Sequence, residues 1–364
     1  MKILHIIDTL LMGGAENVLI GLTEGQKQLG HEVTIMPLVC PKKTPVRSRI
    51  EDNGVKVVPL QEKGSVYNPY LIIKIARIIG QYDIIHVHLF PALYWAALAK
   101  FISFSKVSMV YTEHSTNNKR RSNFILHHTD RLVYKYGYKM VVACAEKVLE
   151  SFTFAFPRIQ HVCYINNGID TEKFRNALPY SKRELLGVDD NTFLVTMVAR
   201  FMPMKRQDTI VDALVYLPDN IHAVFVGGNE EDNGLVRVKK MAEEKGVAQR
   251  VHFLYVRTDV PSILKTSDVV ILASDYEGLS LSSIEGMAAG KPFIATNVNG
   301  LKEVVEGAGL LFENRDAKSL AQHINRLATD IEFYNVVANK CEARSKEYDV
   351  KKMVESYIEV YNNI

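Results

Sequence analysis

Residues 274–294 read Ser274-Asp-Tyr-Glu277-Gly-Leu-Ser-Leu-Ser-Ser-Ile-Glu285-Gly-Met-Ala-Ala-Gly290-Lys-Pro-Phe-Ile294. The stretch follows an apolar run, Asp268–Ala273, and closes on Gly290 ahead of another, Phe293–Thr296. Apolar run, Gly-containing polar loop and helical pattern together read as strand, loop and helix. Glu277 and Glu285 then bracket a junction at the carboxyl end of a sheet, where open α/β sheets bind ligands. Glu277 falls in the loop and Glu285 two turns into the helix. Between them Gly278, Leu279 and Ser280 place free backbone N–H groups at the helix start, which attracts phosphate through unpaired donors and the helix dipole. A carboxylate on each side accepts hydrogen bonds from hydroxyls. Phosphate in the middle with hydroxyls on both sides describes a sugar nucleotide. Two glutamates eight apart also fit a solvated helix face, but the flanking strands and the Ala-Ala-Gly-Lys-Pro ending favour a site.

The same alternation of apolar runs and helical stretches extends in both directions. Strands are expected at Lys2–Asp8, Glu32–Leu38, Val55–Leu60, Ile84–Leu89, Ser108–Glu113, Met140–Ala145 and Val162–Ile165, with helices near Glu16–Leu29, Pro69–Ile79, Pro91–Phe101, Asn123–Tyr136 and Glu146–Phe154. After the turn signal Asn166-Asn-Gly-Ile-Asp170 the pattern restarts. Strands follow at Phe193–Ala199, Ala223–Val226, His252–Tyr255, Val269–Ala273, Phe293–Thr296 and Gly309–Phe312, with helices at Lys205–Tyr216, Leu235–Glu244, Val260–Lys265 and Leu281–Ala289. Two βαβα series imply two doubly wound, mostly parallel Rossmann-like domains facing across a cleft. We expect domains over 1–178 and 179–345, and a last helix within 346–364 returning to the first. With 364 residues, 47% hydrophobic and 23% charged, the chain suits two soluble domains.

Cys40, Cys144, Cys163 and Cys341 lack close spacing and suit a reducing compartment, with neither a disulfide framework nor a zinc site. The start, Met1-Lys-Ile-Leu-His-Ile-Ile-Asp8, is no signal peptide, and no run is long enough to span a bilayer, so a cytoplasmic protein is expected. Residues 1–178 carry 22 Lys and Arg against 14 Asp and Glu, and residues 179–364 carry 22 against 27. A basic half and an acidic half suggest different partners, although ordinary scatter between domains gives the same picture.

Several loops at expected strand ends carry chemistry. Leu10-Leu-Met-Gly13-Gly14-Ala-Glu16 allows close backbone approach, and its departure from Gly-x-Gly-x-x-Gly weakens a nicotinamide reading. Glu16 reads as a first-turn helix charge. In Val198-Ala-Arg200-Phe-Met-Pro-Met-Lys205-Arg206, Lys205 opens a helix and Arg200 precedes it. Two cations there can neutralise a leaving diphosphate, while Arg206 reads as a solvated charge. His114 ends a strand in Val110-Tyr-Thr-Glu-His114. His86 and His88 share one strand face; as a metal pair they lack a visible third ligand. Gly227-Gly228-Asn229, Tyr255-Val-Arg257 and Asn299-Gly300 read as further loops at the same edge. Asp-x-Asp, Walker A, Gly-x-Ser-x-Gly and Cys-x-x-Cys are all missing.

The stretch Glu277–Glu285 resembles the Glu-x7-Glu signature of the retaining GT-B glycosyltransferases of family GT4. Arg200 and Lys205 resemble its Gly-Arg-x4-Lys-Gly, with Ala199 and Arg206 in place of the glycines. His86 and His88 resemble its Asp-Val/Ile-Val-His-x-His, and Asn299-Gly300-Leu-Lys-Glu303 its Gly-Gly-x-x-Glu. The resemblance implies the GT-B fold and transfer of a sugar from a UDP- or GDP-linked donor to an acceptor hydroxyl, with retention and without a metal or other cofactor. It implies that Arg200, Lys205, His114 and Glu277 are catalytic. It further implies that Gly13, Gly14, Gly228, Arg257, Gly278, Leu279, Ser280, Leu281, Glu285, Asn299 and Gly300 bind the donor. The partners implied are the nucleotide sugar and a glycan or lipid-linked acceptor in surface-polysaccharide assembly, with no nucleic acid. Two alternatives stay open: another GT-B chemistry (a sugar-nucleotide epimerase or a phosphorylase) and a non-enzymatic two-domain sugar-binding protein.

Residues 118–139 mix Lys119, Arg120, Arg121, Arg131, Lys135 and Lys139 with Phe124, Ile125, Leu126, Leu132, Tyr134 and Tyr136. The mix suits an amphipathic helix on the anionic inner face of the cell membrane, or equally an ordinary solvated basic face.

Overall fold

The computed structural model describes residues 1–11, 13–115, 118–277 and 280–364, the Lys119 side chain excepted. It divides into two compact units, Met1–Gly168 with Val350–Ile364, and Ile169–Asp349. The division thus falls ten residues before the expected 178/179 and four after 345/346. The reason is local. The Ile169 N–H donates to the Tyr348 carbonyl, Thr171 Oγ1 donates to Asp349, and Phe174 buries in the second core. Residues 169–178 are therefore anchored to the second unit.

The first unit is a seven-stranded parallel sheet: β1 (Lys2–Ile7), β2 (Glu32–Pro37), β3 (Lys56–Val57), β4 (Ile84–His88), β5 (Ser108–Glu113), β6 (Met140–Ala143) and β7 (Val162–Tyr164), in the order β3-β2-β1-β4-β5-β6-β7. Every residue of β4 is buried, and so is all of β1 beyond Lys2. That explains why these strands read as unbroken apolar runs, since a parallel sheet is covered on both faces. The last helix, Val350–Asn362, belongs here and buries Met353, Val354, Tyr357 and Tyr361 along one face. Its seat is made by glycines. A Cβ on Gly21 would come within 2.9 Å of Val350 Cγ2, and one on Gly25 within 2.6 Å of Val354 Cγ2.

The second unit is a six-stranded parallel sheet: β8 (Phe193–Val198), β9 (Ile221–Val226), β10 (Val251–Phe253), β11 (Val269–Leu272), β12 (Phe293–Thr296) and β13 (Leu310–Phe312), in the order β10-β9-β8-β11-β12-β13. Strand order reverses between β1 and β4 in the first sheet and between β8 and β11 in the second. A doubly wound sheet opens its crevice at such reversals, beyond the carboxyl ends of the strands.

Three short helices that start on a capping side chain go beyond the sequence expectation. Pro45–Asp52 begins with Thr44, whose side chain accepts the Arg47 N–H. Thr171–Arg175 is capped by Asp170. Lys182–Leu186 carries a reciprocal Ser181–Glu184 capping box and ends on Gly187 at φ 73°. All three carry start signals, but they are too short for a periodic apolar face to show. Among the described residues no helix is long and apolar enough to cross a membrane.

Candidate active site

At the reversal of the second sheet, the segments leaving β8 and β11 come together. Lys205 Nζ lies 2.5 Å from Glu277 Oε1, and Ser274 Oγ donates to the same oxygen at 2.7 Å. Both charged side chains are mostly buried, at 17% and 11% exposure. Water is largely excluded, so each charge leans on the other. The loops are pinned by the backbone: Asp275 N–H donates to the Met204 carbonyl at 2.8 Å, and Thr296 Oγ1 donates to the Ser274 carbonyl at 2.6 Å.

Lys205 does not open the helix as expected. It ends a 3-10 turn, Pro203–Lys205, and the helix starts at Gln207. Between them Arg206 takes the left-handed region, at φ 54° and ψ 41°. Few side chains adopt that region without cost, which accounts for the glycine at this place in the motif that the chain resembles. Arg206 is not solvated either. It pairs with Asp208 at 3.1 Å and approaches Asp275 at 3.8 Å, anchoring the strained turn. Arg200 by contrast is exposed, and its guanidinium has no partner among the described residues. Its carbonyl accepts from Gln207 Nε2 at 3.0 Å.

Gly278 and Leu279 lie outside the described residues. The helix that follows, Leu281–Ala288, starts from a buried Ser280 whose side chain makes no cap; the Ser283 N–H donates to the Ser280 carbonyl at 3.2 Å, and the Leu281 and Ser282 N–H groups have no partner among the described residues. Glu285 sits little more than one turn in, half-buried, and burial raises its carboxyl to about 7 against the pull of Lys173. Gly228 holds φ 67°, and a Cβ there would press on the Phe201 ring at 2.7 Å. Gly300 N–H is capped by Glu303 at 2.7 Å, and the Asn299 carbonyl accepts the Glu277 N–H at 3.3 Å. Arg257 is not aimed at this cluster. Its fork is taken by Asp259, at 2.8 and 2.5 Å, and Tyr180 braces the same carboxylate.

The first unit holds Gly13, Gly14 and His114. A Cβ on Gly13 would collide with the Glu16 carboxylate, so this glycine makes room for a buried first-turn acid. Asp8, at the end of β1, went unnoticed in the sequence. Its carboxylate accepts the Ala92 N–H at 2.9 Å, and burial raises its carboxyl to about 7.

A third histidine, which the sequence did not reveal, joins His86 and His88. It is His5 on β1, in register with His86 of β4. Ring nitrogens of the three lie within 4.8 Å of one another, a separation at which they could bracket an ion, but each ring is already committed to hydrogen bonds within the chain. Burial lowers His5 and His114 to about 4 and takes His86 and His88 well below their usual range.

Residues 181–344 match the family described as glycosyl transferases group 1, and residues 12–173 match glycosyltransferase family 4. The chain belongs to the GT4-type glycosyltransferases. This glycosyltransferase is 26% identical over 392 residues to the UDP-Gal:alpha-D-GlcNAc-diphosphoundecaprenol alpha-1,3-galactosyltransferase of Escherichia coli, covering 99% of this chain and 96% of that one. It is 22% identical over 338 residues to the N,N'-diacetylbacillosaminyl-diphospho-undecaprenol alpha-1,3-N-acetylgalactosaminyltransferase of Campylobacter jejuni, covering 87% and 88% of the two chains. Anabaena Alr3699/HepE, crystallised in complex with UDP, matches its fold with a TM-score of 0.87 at 24% identity over the whole of both chains. The fold is GT-B.

Proposed function

We propose that this glycosyltransferase moves a sugar from a UDP-linked donor to a hydroxyl of a lipid-linked glycan acceptor, with retention and without a metal. The observation that carries the reading is the Lys205–Glu277 pair at the sheet reversal. Each charge satisfies the other. A donor would exchange them: diphosphate for Glu277 at Lys205, and sugar hydroxyls for Lys205 at Glu277. Arg200, exposed and unpaired among the described residues, supplies a second cation, and the start of helix Leu281–Ala288 supplies oriented N–H groups. Glu285 takes the ribose hydroxyls. The bond from the anomeric carbon to phosphate breaks, a bond to the acceptor oxygen forms, and the acceptor proton passes to the departing phosphate oxygen on the same face. The E. coli relative, a UDP-Gal enzyme acting on a diphosphoundecaprenol, and the UDP complex of HepE support this choice of donor and acceptor.

A panel of sugar nucleotides in EDTA tests the reading. A UDP-sugar at one hundred times its dissociation constant is expected to add about 2.7 kcal/mol of stability and to be turned over only with a lipid-diphosphate glycan present. Loss of turnover in EDTA, restored by magnesium or manganese, contradicts the metal-free mechanism. Turnover that requires free phosphate identifies a phosphorylase instead.

The enzyme is further proposed to work at the inner face of the membrane, through the outer side of helix Phe124–Gly137. There Phe124, Ile125, Leu132, Lys135 and Tyr136 are exposed along one stripe, with Lys139 exposed just beyond. Two cations expected on that surface turn inward: Arg120 pairs with Asp130 and Arg121 with Glu113, each at 3.3 Å and each 11% exposed. In co-sedimentation with anionic vesicles at low salt, Phe124→Ser/Ile125→Ser and Lys135→Ser/Lys139→Ser are each expected to reduce binding several-fold, since a basic residue contributes about 1 kcal/mol at such a surface. Wild-type protein remaining in the supernatant would remove the membrane from the reading.

A further inference from the structure

The side chains Gln26, His5, His88 and His114 form one line of hydrogen bonds under the first sheet reversal. Gln26 Oε1 is 2.8 Å from His5 Nε2, His5 Nδ1 is 3.1 Å from His88 Nε2, and His88 Nδ1 is 3.4 Å from His114 Nε2. Gln26 and His5 are 0% exposed and His88 is 3%, so no water competes along the line as far as His88. Burial keeps the three rings neutral at ordinary pH, and a neutral imidazole donates from one nitrogen and accepts at the other. One end therefore sets the rest. An amide oxygen only accepts, so His5 carries its proton on Nε2 and presents a bare Nδ1. His88 must then donate from Nε2, which leaves its own Nδ1 bare for a proton on His114 Nε2.

The Gln26 amide is itself held from its other side. Its Nε2 donates to Tyr361 Oη at 3.2 Å, Tyr361 Oη is 2.6 Å from His86 Nδ1, and His86 Nε2 is 2.7 Å from Thr112 Oγ1; with the amide so placed, the Tyr361 proton goes to His86 Nδ1 and the His86 proton to Thr112. A reversed amide would reverse every donor on both arms. Thr112 Oγ1 is in turn 3.0 Å from Tyr357 Oη, and both tyrosines come from the last helix, which ties its docking to this network.

We infer that Gln26, His5 and His88 are positioning residues that hold His114 in the tautomer protonated at Nε2, so that its Nδ1 stands as a hydrogen-bond acceptor for a hydroxyl of a ligand rather than as a proton donor. What His114 touches rests on the glycosyltransferase reading. Its tautomer does not, and it is measured without substrate.

The experiment is imidazole ¹⁵N NMR of the unliganded full chain, with His114 assigned by loss of its signals in His114→Asn. Wild type is expected to show a protonated, pyrrole-type Nε2 and a bare, pyridine-type Nδ1 at His114. Gln26→Met removes the acceptor and should convert His114 to a tautomer mixture, whereas Gln26→Glu, which only accepts once ionised, should restore the single form at a pH above the range to which burial raises its carboxyl. If either Gln26 variant fails to fold, His88→Leu cuts the line beside His114 and should give the same mixture. A proton on Nδ1 in wild type, an unchanged His114 spectrum in Gln26→Met and His88→Leu, or a stoichiometric metal bound by the purified protein overturns the inference.

Discussion

Lys205→Ala is expected to lower kcat by about two to three orders of magnitude, the usual loss when a preorganised charge-stabilising group is removed from a transition state. The variant carries a second cost, because among the described residues the Glu277 carboxylate keeps only the Ser274 hydroxyl as a partner. Breaking a buried ion pair from one side destabilises by about 3–5 kcal/mol, and this slightly exposed pair should fall at or below the lower end. The two effects separate in Lys205→Met/Glu277→Gln. That double variant removes both charges together, and it is expected to recover most of the melting temperature while remaining inactive. Near-normal turnover by folded Lys205→Ala would sink the assignment of this cluster as the active site. Recovery of activity along with stability in the double variant would make the pair purely structural.

The second large effect is pH-linked and belongs to Glu285. Its carboxyl sits at about 7 in the unliganded protein because burial disfavours the charge. The ionised form accepts hydroxyl donors at both oxygens, and more strongly than the protonated acid, so a donor held through both ribose hydroxyls binds with loss of a proton whenever the pH is below that value. Affinity for a UDP-sugar, whose diester phosphates do not titrate in this range, is expected to rise about tenfold per pH unit between 5 and 6 and to level off above 7. Calorimetry at pH 6 in buffers of different ionisation enthalpy should register release of most of one proton. Glu285→Gln should abolish that release and weaken binding about tenfold or more, the loss of a charge-assisted hydrogen bond. The sign reverses for stability without ligand. A carboxyl raised above its unfolded value imposes no penalty below about pH 4.5 and its full penalty above about 7. Glu285→Gln should therefore raise the melting temperature at pH 8 and leave it nearly unchanged at pH 4.5. Buffer-independent binding enthalpy in wild type would show that the donor does not engage this carboxylate.

Much of this enzyme is legible without coordinates, because the period of its apolar residues is a local property. Buried parallel strands announce themselves as unbroken apolar runs, and helices by their repeat. The loops with Gly13-Gly14, Arg200, Lys205, Gly227-Gly228, Glu277 and Asn299-Gly300 then fall at successive strand ends by counting alone. Chain order also marks the junction around Glu277 as the place where phosphate is expected. What it does not convey is pairing. Lys205 and Glu277 are 72 positions apart, and His5 and His88 are 83 apart; they meet only because β8 lies beside β11 and β1 beside β4. Arg120 and Arg121 look like surface cations in any local window, and only the folded unit sets Asp130 and Glu113 beneath them. Arg206 looks solvated until Asp208 and Asp275 are seen to hold it in a left-handed turn. Residue type and spacing decided which chemistry the chain carries; which charge faces which partner, and which imidazole nitrogen keeps its proton, was decided by strand order and by the exclusion of water that packing brings.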